Sequence, residues 1–152
     1  MKILDVLKKE AIIVDLKSKD KKGVLDELAA AVSKLAGTRP DELVKVLLER
    51  ERLGSTGIGG GIGIPHGKLK ALGMLVLGFG ISRNGVDYES MDGRPTHIFF
   101  LLLTPENSTG LHLKLLARIS RLLKKESFKE KLLKATSQEE VLAVIEEEDE
   151  EF

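Results

Sequence analysis

Cysteine is absent from the 152 residues. That excludes disulfides, thiolate metal sites and a cysteine nucleophile. Histidine is scarce, with three in all, so no dedicated multi-histidine metal site is expected. No apolar run approaches the roughly 18 residues needed to cross a bilayer. The opening "MKILDVLKKE" lacks the long apolar region and cleavage site of a secretory signal, and the expectation is a cytoplasmic protein without membrane insertion. Net charge is zero, so the whole molecule has no electrostatic pull toward nucleic acid. Asparagine and glutamine reduce to Asn84, Asn107 and Gln138, while charged residues make up 32%. That balance leans toward a heat-adapted source.

What is present fits one domain over residues 1–145, followed by an acidic tail over 146–152 that should be solvated and frayed. There is no internal repeat and no linker. "ILDVLKKE" reads as a short helix and "AIIVDL" as a short strand. From Asp20 the apolar residues Leu25, Leu28, Val32 and Leu35 recur at helical spacing, and Gly37 ends that helix. "TRPDELVKVLLERER" is a second helix, with Pro40 in its first turn, Asp41 and Glu42 at the N-terminal dipole end, and Arg50 and Arg52 in the last turn. "MLVLGFGIS" and "THIFFLLLTP" are nearly continuous apolar runs, the pattern of strands covered on both faces. "GVDYES" suggests a short strand after a turn at Asn84-Gly85. Helices fill the chain from Ser108 onward, and Ser137 and Glu140 have capping-box spacing. The fold class expected is α/β, a mixed parallel and antiparallel sheet of roughly five strands with helices on both faces.

The segment "STGIGGGIGIPHGKLK" is the informative one. Six glycines lie between Gly57 and Gly67. A P-loop fails because Leu69 follows Gly67-Lys68, leaving no hydroxyl for Mg²⁺. The dinucleotide fingerprint fails too: from Gly57, Gly59 or Gly61 its last position falls on Ile62, Ile64 or His66. What remains is a local device. Clustered backbone N–H groups, from Gly59, Gly60, Gly61, Gly63 and Gly67, suit an anion-cradling loop. Pro65 and Gly67 set His66 at a rigid corner. A neutral imidazole is a nucleophile near pH 7, and its attack on a phosphoryl group gives a labile P–N bond.

His112 is a second candidate. At 100° per residue from Leu111, Leu115, Ile119, Leu122 and Leu123 fall between about 20° and 120°, and His112 near 100°. It therefore sits on the core-facing stripe near a helix N-terminus, where an imidazole needs a partner. Lys114, Arg118, Arg121 and Lys125 point the other way. His97 begins an apolar strand and reads as structural. Arg50 and Arg52 stand just before the glycines, either within reach of an incoming phosphate.

"RERLGSTGIGGGIGIPHGKL" resembles the active-site segment of enzyme IIA proteins of the bacterial phosphotransferase system, in the fructose/mannitol class that includes the nitrogen-regulatory homologues. "DGRPTHIFFLLLTPENSTGLHLKLLARISRLLKKESF" is similar to the family's strand, Pro-Glu-Asn-Ser turn and His-Leu helix, so the resemblance spans nearly the whole chain. It implies that His66 is the phosphorylated histidine, His112 the supporting one, and Arg50 the phosphoryl-stabilising arginine in place of Arg52. It also implies a relay without metal, nucleotide or other cofactor. His66 takes a phosphoryl group from HPr or an HPr-like carrier and hands it to a cysteine of an enzyme IIB domain. The sequence carries no IIB or IIC segment, which is compatible with sugar transport through partners on other chains and with regulation through phosphorylation-dependent binding of other proteins.

Overall fold

The strand Thr96–Pro105 explains the layering. Its side chains alternate: Ile98, Phe100 and Leu102 join one buried cluster, while Phe99, Leu101 and Leu103 join another. A strand at the centre of a three-layer molecule has no solvent face, hence its unbroken apolar run. The computed structural model describes residues 1–151. In chain order the elements are α1 (Ile3–Val6), β1 (Leu7–Ile13), α2 (Lys21–Ala36), α3 (Pro40–Glu51), β2 (Gly57–Gly59) and β3 (Ile62–Gly63). There follow β4 (His66–Leu69), β5 (Val76–Val86), β6 (Thr96–Pro105), α4 (Thr109–Leu123), α5 (Glu126–Lys134) and α6 (Gln138–Glu148).

The sheet runs β1-β5-β6-β3-β2, with β4 also on β6. β5 and β6 are antiparallel, whereas β1/β5, β3/β6 and β4/β6 are parallel. Ile62 pairs with Ile98 and His66 with Leu102, so β3 and β4 share one edge of β6 in tandem. The sheet is thus mixed and five positions wide, as expected. One face packs on α4–α6 through residues such as Leu115, Ile119, Phe128 and Val141. The other packs on α2 and α3 through Val24, Leu28, Val32, Leu43 and Leu47.

Helix ends follow local chemistry. Asp20 accepts from Gly23 N–H at the start of α2, and Gly37 closes that helix at φ 63°. Ser137 accepts from Glu140 N–H at the start of α6. The Glu140 carboxylate turns instead to Thr136, through its N–H and its hydroxyl.

Four expectations change. The helix at "ILDVLKKE" stops at Val6, because Leu7 already pairs with Leu77 of β5. A register shift between Leu7 and Ile12 removes the alternation that would have marked "LKKE" as strand. "GVDYES" is not a separate strand: β5 continues through Asn84-Gly85 to Val86, which pairs with Thr96. Arg118 does not face water. It lies 8% exposed, with one amino group donating to the Glu148 carbonyl that ends α6. Finally, the acidic run is ordered over its first part. α6 extends to Glu148, and Asp149 accepts from Ile3 N–H and Leu4 N–H, both at 2.9 Å, capping α1. Phe152, the last residue of that run, lies outside the described residues. Among the described residues no helix is long and apolar enough to cross a membrane.

Candidate functional site

The site forms where α3 crosses β4. A Cβ on Gly67 would stand 2.7 Å from Val46 Cγ1, so glycine is what lets the helix lie against the strand. Four residues after Val46, on the same face of α3, comes Arg50. Its Nε–H donates to His66 Nε2 at 3.2 Å, and its NH1 donates to the Gly54 carbonyl at 3.0 Å. His66 Nδ1 lies 2.8 Å from the Ile64 carbonyl oxygen. These partners leave no choice of tautomer. A carbonyl only accepts and a guanidinium only donates, so the proton is on Nδ1 and the lone pair on Nε2.

Electrostatics keep the ring uncharged. Burial lowers the His66 pKa, and the Arg50 guanidinium pushes it the same way. The Ile64 carbonyl and the Glu51 carboxylate oppose them, yet the net direction is down. His66 is half-buried, with its ring edge on an open cleft of about 450 Å³ shared by Arg50, Gly67, Lys68 and His112.

His112 comes from the first turn of α4, and its ring centroid stands 5.4 Å from that of His66. It is 5% exposed, and its Nδ1 is 2.7 Å from the hydroxyl of fully buried Thr104. Burial first, then repulsion from His66 (were both rings protonated) and from Lys68, lower its pKa to about 4. The arrangement offers one nucleophilic nitrogen, a guanidinium beside it, a second neutral imidazole and, at the mouth, the ammonium of Lys68. Lys68 donates to the Thr109 hydroxyl at 3.0 Å.

Arg50, His66, Gly67 and His112 are therefore brought together. Arg52 is not: it lines the groove between α2 and α3, together with Lys22 and Leu48. Nor are most of the glycines. β2 and β3 form a hairpin turning at Gly60 and Gly61, beyond the Ile62–Ile98 pair. Four residue steps along β6 separate that pair from His66–Leu102, roughly 13 Å at the usual rise. Gly59, Gly60 and Gly61 have φ of 92°, 66° and 81°, the backbone of an anion-binding turn. The anion is the protein's own: Asp92 accepts from Gly60 N–H at 3.1 Å. Gly63 serves packing, since a Cβ there would stand 3.0 Å from the Phe99 ring. His97 hydrogen-bonds the Ser82 carbonyl through Nδ1 at 2.9 Å.

Three neighbours escaped sequence reasoning: Glu51, Thr104 and Lys68. Glu51 had a signal, because a carboxylate in the last turn of a helix opposes the macrodipole and so marks a partner elsewhere. Thr104, inside an apolar strand, and Lys68, an ordinary lysine, had none. Among the described residues no group of three or more histidine, aspartate or glutamate side chains is arranged to hold a metal ion.

Residues 5–148 match the family described as phosphoenolpyruvate-dependent sugar phosphotransferase system, EIIA 2. The chain belongs to this family. A nitrogen regulatory protein of Bradyrhizobium diazoefficiens is 42% identical to this enzyme IIA chain over 145 residues, 95% of each. The fructose-specific EIIABC component of Bacillus subtilis is 38% identical over 150 residues, 98% of this chain but 24% of that longer protein. The crystal structure of nitrogen regulatory protein IIA-Ntr from Neisseria meningitidis superposes with a TM-score of 0.88 at 32% identity. The match covers 93% of this chain and 97% of that one.

Proposed function

We propose that this enzyme IIA chain is a phosphocarrier whose working atom is His66 Nε2. The observation that carries the reading is the enforced tautomer: a bare Nε2 on the cleft with a guanidinium 3.2 Å away. The donor is phosphohistidine on HPr or an HPr-like protein. The Nε2 lone pair attacks phosphorus in line, and the donor's N–P bond breaks with its electrons returning to the donor ring. The ring proton stays on Nδ1, where the Ile64 carbonyl supports the positive charge gained when the P–N bond forms. Arg50 moves from the lone pair to a phosphoryl oxygen, a charge-assisted contact. His112 and Lys68 face the same group from the α4 side. In the second step a cysteine thiolate of an enzyme IIB attacks phosphorus, and Nε2 recovers its electron pair.

Both partners bring their own reacting side chain, so the site must be open to proteins. Leu53 and Leu113, on the cleft wall, are 83% and 60% exposed, an apolar rim suited to transient docking. The setting is the cytoplasm. The test is labelling by phosphorylated HPr: the wild-type chain takes up acid-labile phosphate and His66→Ala takes up none. Full labelling of His66→Ala removes the proposal.

Similarity to nitrogen regulatory proteins over nearly their whole length supports a second use of the same chemistry. In that use the phosphorylation state of His66 governs binding to a regulated protein, with no IIB acceptor. Affinity capture with phosphorylated and unphosphorylated chain separates the two: an enzyme IIB in the first case, a kinase or transporter in the second.

A further inference from the structure

Glu51 is buried beside the site, and the transfer steps above leave it unused. Its side chain is 4% exposed. Oε1 accepts from Thr56 N–H at 3.0 Å and pairs with Lys21 Nζ at 2.9 Å. Oε2 accepts from the Thr56 hydroxyl and, at 3.3 Å, from the Tyr88 hydroxyl. Four donors for two oxygens satisfy the hydrogen-bonding needs of a carboxylate held out of water. Burial and the Glu51 charge push the Tyr88 phenol upward, so it remains a donor.

The bonds then lead to the imidazole. The Thr56 carbonyl accepts from Ile64 N–H at 3.0 Å, and the Ile64 carbonyl accepts from His66 Nδ1–H. His66 Nε2 accepts from Arg50, which is covalently next to Glu51. The circuit Glu51, Thr56, Ile64, His66, Arg50 closes on itself, and both ring nitrogens of His66 are members.

We propose that Glu51 is a positioning residue for phosphoryl transfer. Its carboxylate pins Thr56 to the end of α3, so that the Ile64 carbonyl and Arg50 meet His66 from opposite sides and hold one tautomer. The role rests on the phosphocarrier reading, and its most direct readout does not. Glu51→Gln keeps the length of the side chain but replaces one acceptor oxygen by a donor. It also leaves Glu89, at 3.7 Å, as the carboxylate partner of Lys21.

The experiment compares wild type, Glu51→Gln and Glu51→Ala by ¹⁵N NMR of the His66 ring in unphosphorylated protein. It adds the rate and half-saturation of labelling by phosphorylated HPr, all well below the melting temperature. In wild type the ring shows one tautomer with the proton on Nδ1. In Glu51→Gln the two nitrogens move toward averaged shifts, and the saturated rate falls about tenfold, as a small misplacement of a reacting group predicts. Half-saturation changes less than about twofold, because the docking surface is intact. Glu51→Ala is slower still, so that glutamine is a partial rescue; if alanine fails to fold, glutamine alone decides. A single tautomer or an unchanged saturated rate in Glu51→Gln overturns the proposal, whatever the loss in melting temperature. If wild type itself takes no phosphate from HPr, the phosphocarrier reading falls. The ring spectra then still decide whether Glu51 sets the imidazole.

Discussion

Gly67→Ala should damage both stability and transfer through a single contact. The new methyl would lie 2.7 Å from Val46 Cγ1, where carbon pairs prefer about 3.5–4.0 Å, so α3 and β4 must part by roughly 1 Å. Val46 has little freedom to yield, since a β-branched side chain in a helix holds one χ1 rotamer. Gly67 does not have the left-handed backbone, so the cost is steric and not conformational. Overpacking of this kind costs about 1–3 kcal/mol. For a chain of this size that is a fall in melting temperature of roughly 3–10 °C. The same displacement carries Arg50, one turn beyond Val46, out of its 3.2 Å contact with Nε2, so labelling by phosphorylated HPr should slow as well. Thermal denaturation followed by circular dichroism measures the first effect and single-turnover labelling the second. Val46→Ala in the same chain should restore both, with a coupling energy of about 1 kcal/mol or more in the double-mutant cycle. If Gly67→Ala is silent, or if Val46→Ala and Gly67→Ala add independently, the contact does not set the site.

Two further outcomes follow from the geometry. The folded-state pKa of His112 lies near 4 against about 6.5 unfolded, so the unfolded chain binds the extra proton between those values and stability falls with pH across that window. The loss approaches about 3 kcal/mol at the acid end, and His112→Gln should flatten the slope of denaturation midpoints between pH 7 and 5; equal slopes would contradict the shift. Asp92→Ala should raise hydrogen exchange at the Gly60 amide while leaving transfer at the wild-type rate, because the hairpin it fills is remote from His66. A slowed transfer would return the hairpin to the site.

Both ends of α2 and the start of α6 were readable because capping is local: Asp20, Gly37 and Ser137 each act within a few residues. His66, His112 and Arg50 were readable as candidates through their motif, and the structure brings the three side chains together. Their meeting was not derivable from spacing, since it depends on Gly67 letting α3 approach β4. The glycines misled for the opposite reason. Gly59 to Gly61 do make an anion-binding turn, but sequence cannot say that a carboxylate 32 residues later fills it. β1 was hidden in the same way: Leu7 becomes strand because Leu77 is there to pair with it. A buried carboxylate with four donors, as at Glu51, is a tertiary fact with one local trace, its place at the wrong end of a helix.

The clasp of Asp149 over Ile3 and Leu4 brings the first and last turns of the chain side by side. Such a molecule is topologically almost a loop. A neighbour fused at either extremity would attach at the same corner, so the unit would hang from it by a single stalk whichever end was joined.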